Sequence, residues 1–430
     1  HGVFDLLHIG HIKYFQEAKS MGDLLVVTVT PDRFVNKGPN RPVFNENLRT
    51  EAVAALDAVD YVAINEWPTA VETIKILKPN IYVKGPDYKN SEQDITGNIF
   101  LETEAVKSVG GKISFTSGPL FSSSSLINNH ISSHSTGQKQ YISKLKKNYS
   151  FELIKKYFNR FNELKILLVG EAIIDEYVFC NTIGKSGKEP VLVNQKVSSE
   201  KYVGGILAVA NHLSDFCKSI KILTYLGDRN DQKEFIEQSL NPNIEIESII
   251  KKLSPTIIKT RFIDRYTNNK VLGVYDLNDE LLNDSEEKEL NDKLNVCIKN
   301  FDLVVVVDYG HGLITSGIVN TLEKNSKYLA VNTQLNSFNI GYHTISKYSK
   351  ARYVCVHEGE LRHDYRNRHD TVEYLIKQLS ERIKSDVITI TRGNAGSVVY
   401  KDGKFLECPA FAGKVVDRVG AGDTLLAITA

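Results

Sequence analysis

His1-Gly2-Val3-Phe4-Asp5-Leu6-Leu7-His8-Ile9-Gly10-His11 opens the chain. Apolar residues lead into a His-x-Gly-His turn, and a helical spacing follows it. The stretch predicts a buried strand, a glycine-bearing turn and a helix start, the joint at which α/β folds place their ligands. Such a turn aims backbone N–H groups and the positive helix end at an anion. Gly10 lets the main chain approach that anion closely, and His8 and His11 set two further donors beside it. When an α-phosphate is attacked, charge grows on its bridging and non-bridging oxygens. Donors fixed next to those oxygens stabilise the transition state without a protein nucleophile. Two other readings stand beside this one. The histidines could be structural, or they could be a zinc pair at i, i+3. The zinc reading finds no third and fourth ligand nearby, since His130 and His134 sit in a different, polar setting.

Near the other end lies Asp417-Arg418-Val419-Gly420-Ala421-Gly422-Asp423-Thr424. Gly420, Ala421 and Gly422 at a helix N-terminus free backbone amides to hold a γ-phosphate. Asp423 beside them can accept the proton of an attacking hydroxyl. The first stretch suits attack on an α-phosphate and the second attack on a γ-phosphate, which together predict a two-step enzyme activating one metabolite.

A chain of 430 residues calls for two domains. Hydrophobic content of 42% and charged content of 24% are those of a globular protein. The net charge of +1 gives no support for a nucleic-acid or membrane partner, so phosphate recognition must be local. No apolar run reaches the ~18 residues of a membrane span. The five cysteines (Cys180, Cys217, Cys297, Cys355, Cys408) form no Cys-x-x-Cys, and three of them, Cys217, Cys297 and Cys355, fall among apolar residues. Buried thiols in a reducing cytoplasm are expected. Position 1 is His, and the last helix pattern runs to Ala430. The chain therefore reads as a fragment cut at both ends.

Up to residue 130, strand candidates at 24–29, 61–64, 81–83 and 113–115 alternate with helices at 48–56 and 71–77, which implies a parallel sheet covered on both faces. Residues 131–150 are polar, then basic at Lys144, Lys146 and Lys147. They read as a linker, with a connecting helix at 151–161. From Lys165 a second α/β pattern runs through 166–170, 220–225, 303–307, 328–331, 353–356 and 387–391.

More residues join each site through resemblance. The first stretch, with Lys37-Gly38-Pro39-Asn40-Arg41, Glu46 and Arg49, Val83-Lys84-Gly85-Pro86-Asp87-Tyr88 and Ser122-Ser123-Ser124, resembles the cytidylyltransferase-like nucleotidyltransferase superfamily over roughly residues 1–130. The segment at Lys84 is similar to that of heptose-phosphate adenylyltransferases. The resemblance implies a Rossmann-like parallel sheet. It implies His8, His11 and Lys84 as catalytic residues, and Phe4, Gly10, Lys37, Arg49, Ser122, Ser123 and Ser124 as nucleotide and phosphate contacts. Asp5 would orient a backbone or substrate group.

Residues 165–430 resemble the ribokinase/PfkB family. Gly170 and Asp175 match its first-strand turn, and Gly204-Gly205 its substrate turn. Thr256, Lys259 and Arg261 match a lid strand of heptose-phosphate kinases, and Asp308-Tyr309 a strand end. Thr391 to Gly396 match a nucleotide turn. The resemblance implies an α/β sandwich with a small β lid, here incomplete at its C-terminus. It implies Asp423 as the base and Arg392, Gly393, Gly396, Gly420, Ala421 and Gly422 at the nucleotide. Asp175, Gly204, Gly205, Lys259, Arg261 and Asp308 would lie at the sugar, and Glu360 would place Mg²⁺ indirectly. Two departures stand out. The nearest Asn after Gly204-Gly205 is Asn211, and His357 replaces the Asn of an Asn-x-x-Glu motif.

Taken together, the resemblances imply domains at 1–130 and 165–430 joined by a linker and helix at 131–164. They imply a kinase for a sugar (heptose) phosphate and a transferase that joins a sugar 1-phosphate to a nucleotide. ATP (or CTP) and Mg²⁺ would serve both. A cytidylyltransferase for a small alcohol phosphate and a transferase fused to a sugar-sensing pseudokinase are the alternatives. A sugar phosphate and a nucleoside triphosphate are the expected partners, and a homodimer is an open expectation.

Overall fold

The computed structural model describes residues 1–36, 41–85, 98–117, 134–412 and 420–430. The chain divides into two compact units, His1–Ser135 and Thr136–Ala430.

In the first unit, the described strands are β1 (Val26–Val29), β2 (Tyr61–Ile64), β3 (Ile81–Lys84) and β4 (Lys112–Phe115). They form two parallel pairs, β1 with β2 and β3 with β4. The opening strand expected from the sequence is reduced to one bridge, Gly2 beside Val29. Beyond it Phe4 and Leu6 take φ of +50° and +52°, a left-handed backbone that no strand sustains. This segment must leave the sheet to deliver His8 to the helix Ile9–Lys19. Phe4, Phe15, Val27, Val29 and Val53 form the buried core beneath that turn.

In the second unit, the polar stretch read as a linker becomes helical at once, Thr136–Asn148, and the connecting helix follows at Phe151–Phe161. The first of these helices packs on its own unit. Gln138 Nε2 donates to Ala410 O at 2.5 Å, and the Tyr141 and Phe411 rings lie 6.0 Å apart. Composition marked a polar face there, and tertiary contact made the helix worth forming. A chain opened between Ser135 and Thr136 is therefore expected to give two soluble halves. One opened after Lys144 strips Gln138 and Tyr141 from the larger half, which should melt a few degrees lower. Equal melting temperatures for the two larger fragments would show that the helix contributes nothing.

Among the described residues the main sheet has nine strands. They are β5 (Lys165–Gly170), β8 (Ser219–Arg229), β9 (Ile244–Pro255), β12 (Leu303–Asp308), β13 (Leu329–Thr333), β14 (Tyr353–His357), β15 (Val387–Thr391), β16 (Ser397–Lys401) and β17 (Lys404–Cys408). Their order is β17-β16-β15-β14-β13-β12-β5-β8-β9. From β9 to β15 every pairing is parallel, and β16 and β17 add an antiparallel edge. Val304, Val305, Val306 and Val307 are each 0% exposed, as a strand covered on both faces requires. Each such burial is worth about 1.5–3 kcal/mol.

A second sheet, β11-β10-β6-β7, is built from β6 (Ala172–Lys185), β7 (Leu192–Gly205), β10 (Ile257–Asp264) and β11 (Lys270–Asp276). The sequence marked the Lys259–Arg261 segment as lid but did not reveal the long β6–β7 ribbon. The outer residues of β7 alternate weakly because most are exposed. Four consecutive parallel strands, β12 to β15, release their chains at one edge of the main sheet. Tyr309, Gln334, His357 and Arg392 are carried there together.

Candidate active sites

In the first unit, His8 is the N-cap of the helix Ile9–Lys19, and its Nδ1 accepts from Gly10 N at 3.1 Å. Burial holds its pKa below the ordinary histidine value. A neutral ring that accepts at Nδ1 carries its proton on Nε2, so His8 presents an N–H donor away from the helix. The His11 ring stacks on it, centroids 4.0 Å apart, and meets Phe4 edge-on at 5.8 Å. The turn thus brings the His8 and His11 rings together at a helix N-terminus, with Gly10 between them and Phe4 against His11.

Asp5 is buried and orients backbone. It accepts from Val43 N at 3.0 Å, Phe44 N at 3.2 Å and Arg41 Nε at 3.1 Å. It thereby fastens the residues just after the basic loop. Lys37 in that loop and Ser122, Ser123 and Ser124 lie outside the described residues. Arg49 is 1% exposed, and its guanidinium donates to Val3 O, Thr30 O, Phe44 O and Asp32 Oδ1 at 2.5–2.9 Å. It ties the first segment to β1 and to the Phe44 loop, which leaves little of it for a phosphate. Lys84, at the end of β3, is buried and sits 2.7 Å from the buried Glu102. Nothing in the spacing of the two residues announced that pair.

In the second unit a cavity of about 1240 Å³ opens at the strand ends. Asp175, Gly205, Lys259, Arg261 and Tyr309 line one part of it. Another part is lined by Arg392, Gly393 and Gly396, and Gly420, Ala421, Gly422 and Asp423 also face it. Arg261 Nη1 pairs with Asp175 Oδ1 across the register of β10 and β6. Burial lowers the Lys259 pKa. Gly204 lies against Asp175, where a Cβ would stand 2.3 Å from Oδ2. Gly205 has φ +57° and starts the helix Ile206–Ser214. Gly396 has φ +85°, and a Cβ there would meet Cys408 O at 2.0 Å, so only glycine closes this turn.

Asp423 stands in the first turn of the helix Ala421–Thr429. The first amides of that helix have no partner within it and face the cavity. Asp423 Oδ1 accepts from Tyr309 Oη at 3.0 Å and from Gln334 Nε2 at 2.5 Å. Burial raises its pKa, and the two hydrogen bonds oppose that rise. Asp417 lies outside the described residues.

Several expectations change at this point. Asp308 is 0% exposed and does not line the cavity. Its carboxylate takes Tyr348 Oη at 2.8 Å and Lys347 Nζ at 2.6 Å. The cavity residue of that strand end is its neighbour Tyr309, which the strand-end motif contained but the reading passed over. Asn211 bonds Ser239 O and Asn241 N and is likewise absent from the cavity lining. His357 caps the helix Glu358–Tyr365. Its Nδ1 accepts from Gly359 N at 3.0 Å, and Glu360 Oε2 reaches back to His357 N at 2.7 Å, closing a capping box. Glu360 Oε1 also accepts from Leu335 N at 3.1 Å. Burial pushes its pKa up to about 7. With both oxygens on amides, Glu360 is suited to holding structure or a water rather than ligating a metal itself. Among the described residues no group of three His, Cys, Asp or Glu side chains could hold a metal ion. All five thiols are free, and no described helix is long and apolar enough to cross a membrane.

A cavity that combines a desolvated carboxylate, a helix N-terminus and two cations is the arrangement of a phosphotransferase, and the first unit sets two histidine rings together at a second helix N-terminus. The chain belongs to the pfkB family of carbohydrate kinases, whose model matches residues 163–428, and a cytidylyltransferase-like domain occupies residues 1–136. The first domain is 45% identical over 114 residues to the bifunctional protein HldE of Aliarcobacter butzleri, covering 26% of this chain and 24% of that protein. It is 47% identical over 113 residues to the bifunctional protein HldE of a Nitratiruptor species, covering 26% and 24%. The chain thus matches about a quarter of the length of these relatives. Phosphofructokinase-2 from Escherichia coli in complex with potassium is similar at 14% identity and a TM-score of 0.49, over 61% of this chain and 84% of that one.

Proposed function

We propose that the protein activates a sugar in two steps. A sugar phosphate, with heptose as the first candidate, is phosphorylated from ATP. The bisphosphate so formed loses its original phosphate to a separate phosphatase, and the sugar 1-phosphate that remains is joined to a nucleotide with release of pyrophosphate, giving an ADP-heptose-like donor for surface polysaccharide. The reading rests chiefly on one cavity that holds Asp423, the amides of Gly420 to Gly422 and the cations Lys259 and Arg261. The similarity to the HldE proteins supports the sugar class. The cytoplasm, with its nucleotide pool, is the compartment that this chemistry calls for.

In the kinase step Asp175, Gly205, Lys259 and Arg261 hold the sugar phosphate, and Gly204 leaves room for the Asp175 carboxylate beside it. Arg392, Gly393 and Gly396 hold the nucleotide. The helix amides stabilise the γ-phosphoryl group as Asp423 takes the hydroxyl proton. In the transferase step His8 and His11 donate to the reacting phosphates beside Gly10 and Phe4. Lys84, Lys37 and Ser122 to Ser124 neutralise or bond the rest of the triphosphate. Arg49 and Asp5 hold the loop, and Asp308 holds the strand end under Tyr309. Mg²⁺ would accompany the nucleotide phosphates in both steps.

Mass spectrometry of products from the intact protein, given ATP or CTP and a panel of sugar phosphates, tests this reading. From ATP, a heptose phosphate is expected to give a heptose bisphosphate, and a heptose 1-phosphate to give a nucleoside diphosphate sugar. A CTP-derived alcohol ester would replace the reading with a cytidylyltransferase. Sugar binding without ATP consumption would make the second unit a sensor.

A further inference from the structure

We propose that Tyr309, with Gln334, is the positioning residue that selects which oxygen of Asp423 receives the substrate proton. The proposal rests on the kinase reading of the second unit and adds two residues to it. Both donors converge on Oδ1, Tyr309 Oη at 3.0 Å and Gln334 Nε2 at 2.5 Å. With two donors on Oδ1, the basic lone pair left for chemistry is on Oδ2. In the transfer, the substrate O–H bond breaks and its proton goes to Oδ2. The hydroxyl oxygen bonds the γ-phosphorus, and the bond from that phosphorus to the β,γ-bridging oxygen breaks, its electron pair leaving on ADP.

Tyr309 is held from every side for this task. Its N–H and that of His311 donate to the two oxygens of Glu171, at 3.1 and 3.0 Å. Its carbonyl accepts from Asn336 and Asn339 at 2.7 and 2.9 Å. Gly310 turns the chain beneath it at φ +70°, where a Cβ would stand 2.5 Å from Asn339 Nδ2. Its ring is 5% exposed, so the hydroxyl has one direction in which to point. Gln334 comes from the end of the neighbouring strand β13, so two adjacent strand ends aim at one atom. Glu171 is fully buried, and burial together with Asp308 raises its pKa to about 7. It is thus a clamp on main-chain amides, and a reserve carboxylate for the reaction is not needed.

The groups facing Asp423 fix the sign of the effect. Burial and Asp175 on β6 raise its pKa. Tyr309, Gln334 and His212 on the helix Ile206–Ser214 lower it. Lys259 on β10 and Glu360 on the helix Glu358–Tyr365 also feel its charge. The carboxylate must be ionised to act, so the rate falls as pH drops through its pKa. Removing a donor raises that pKa and moves the acidic limb upward.

The test is the pH dependence of phosphorylation by the intact protein, with Tyr309→Phe and, independently, Gln334→Leu. A hydrogen bond to a charged group is worth enough to move the limb by roughly one to two pH units. Each variant should run ~10-fold or more below wild type on the acid side and recover towards it above the displaced limb. KM for the sugar phosphate should be unchanged. A merely structural role would depress the rate at every pH and leave the limb in place. That outcome in both variants, or two unchanged profiles, overturns the proposal while the kinase reading stands. Wild type that phosphorylates no sugar phosphate overturns the kinase reading, and this proposal with it.

Discussion

His11→Ala is expected to lower nucleotidyl transfer by about 10²–10³-fold while the protein stays folded. His11 stands in the first turn of its helix, stacked on His8, and its contact with Phe4 is an edge contact on a half-buried ring. Losing the imidazole therefore removes little packing. It removes a donor that strengthens as charge develops on the attacked phosphate, and a donor of that kind is worth about 2.7–4 kcal/mol in the transition state. The loss should fall on kcat and on kcat/KM alike, with nucleotide KM nearly unchanged. Turnover equal to wild type, in a variant of unchanged melting temperature, would move the transferase site elsewhere. The Nε2 proton of His8 adds a second check. His8→Phe keeps a flat ring but removes both the helix cap and that proton, so it should lose activity and some stability together.

Asp423→Asn should abolish sugar phosphorylation, with ~10³-fold or more lost, while sugar binding persists. The amide keeps the shape and can still meet Gln334 or Tyr309, but it takes no proton. Sugar binding depends on different groups. Asp175→Ala should first weaken sugar binding, because it removes the hydroxyl acceptor and leaves Arg261 without its partner. The two variants thus split kcat from KM. Isothermal titration with a sugar phosphate and a coupled ADP assay read the two quantities separately. If Asp423→Asn retains phosphorylation near the wild-type rate, Asp423 is not the base. If Asp175→Ala leaves sugar affinity intact, the orientation assigned to the cavity is wrong.

The strand pattern shows why much of this was legible. Residues such as Val304 to Val307 form an unbroken apolar run because both faces of a parallel strand are covered. Local composition then carries the global answer. The helices at 71–77 and 151–161 showed themselves through their own spacing and fall where it placed them. The β6–β7 ribbon escaped notice because its outer strand is mostly exposed and β10, which pairs with its inner strand, comes much later in the chain. The helix at Thr136 escaped because its stabilising contacts are with Ala410 and Phe411, far away in sequence.

The same division holds within the sites. Glycines and the residues beside them are legible because a backbone need has a residue-type signature. Gly205 and Gly396 have positive φ against neighbouring carbonyls, and Gly10 separates two histidines on one turn. The sequence by itself determined two α/β halves, the order of their phosphate turns and the carboxylate at the second helix start, all of which depend on neighbours in the chain. The tertiary structure alone decided that Lys84 pairs with Glu102, that Arg49 and Asp308 face inward, and that Tyr309 and Gln334 meet Asp423. Tyr309 and Asp423 are 114 positions apart in the chain. The free energy of such contacts comes from burial and from hydrogen bonds made across strand ends, and neither exists until the sheet has formed.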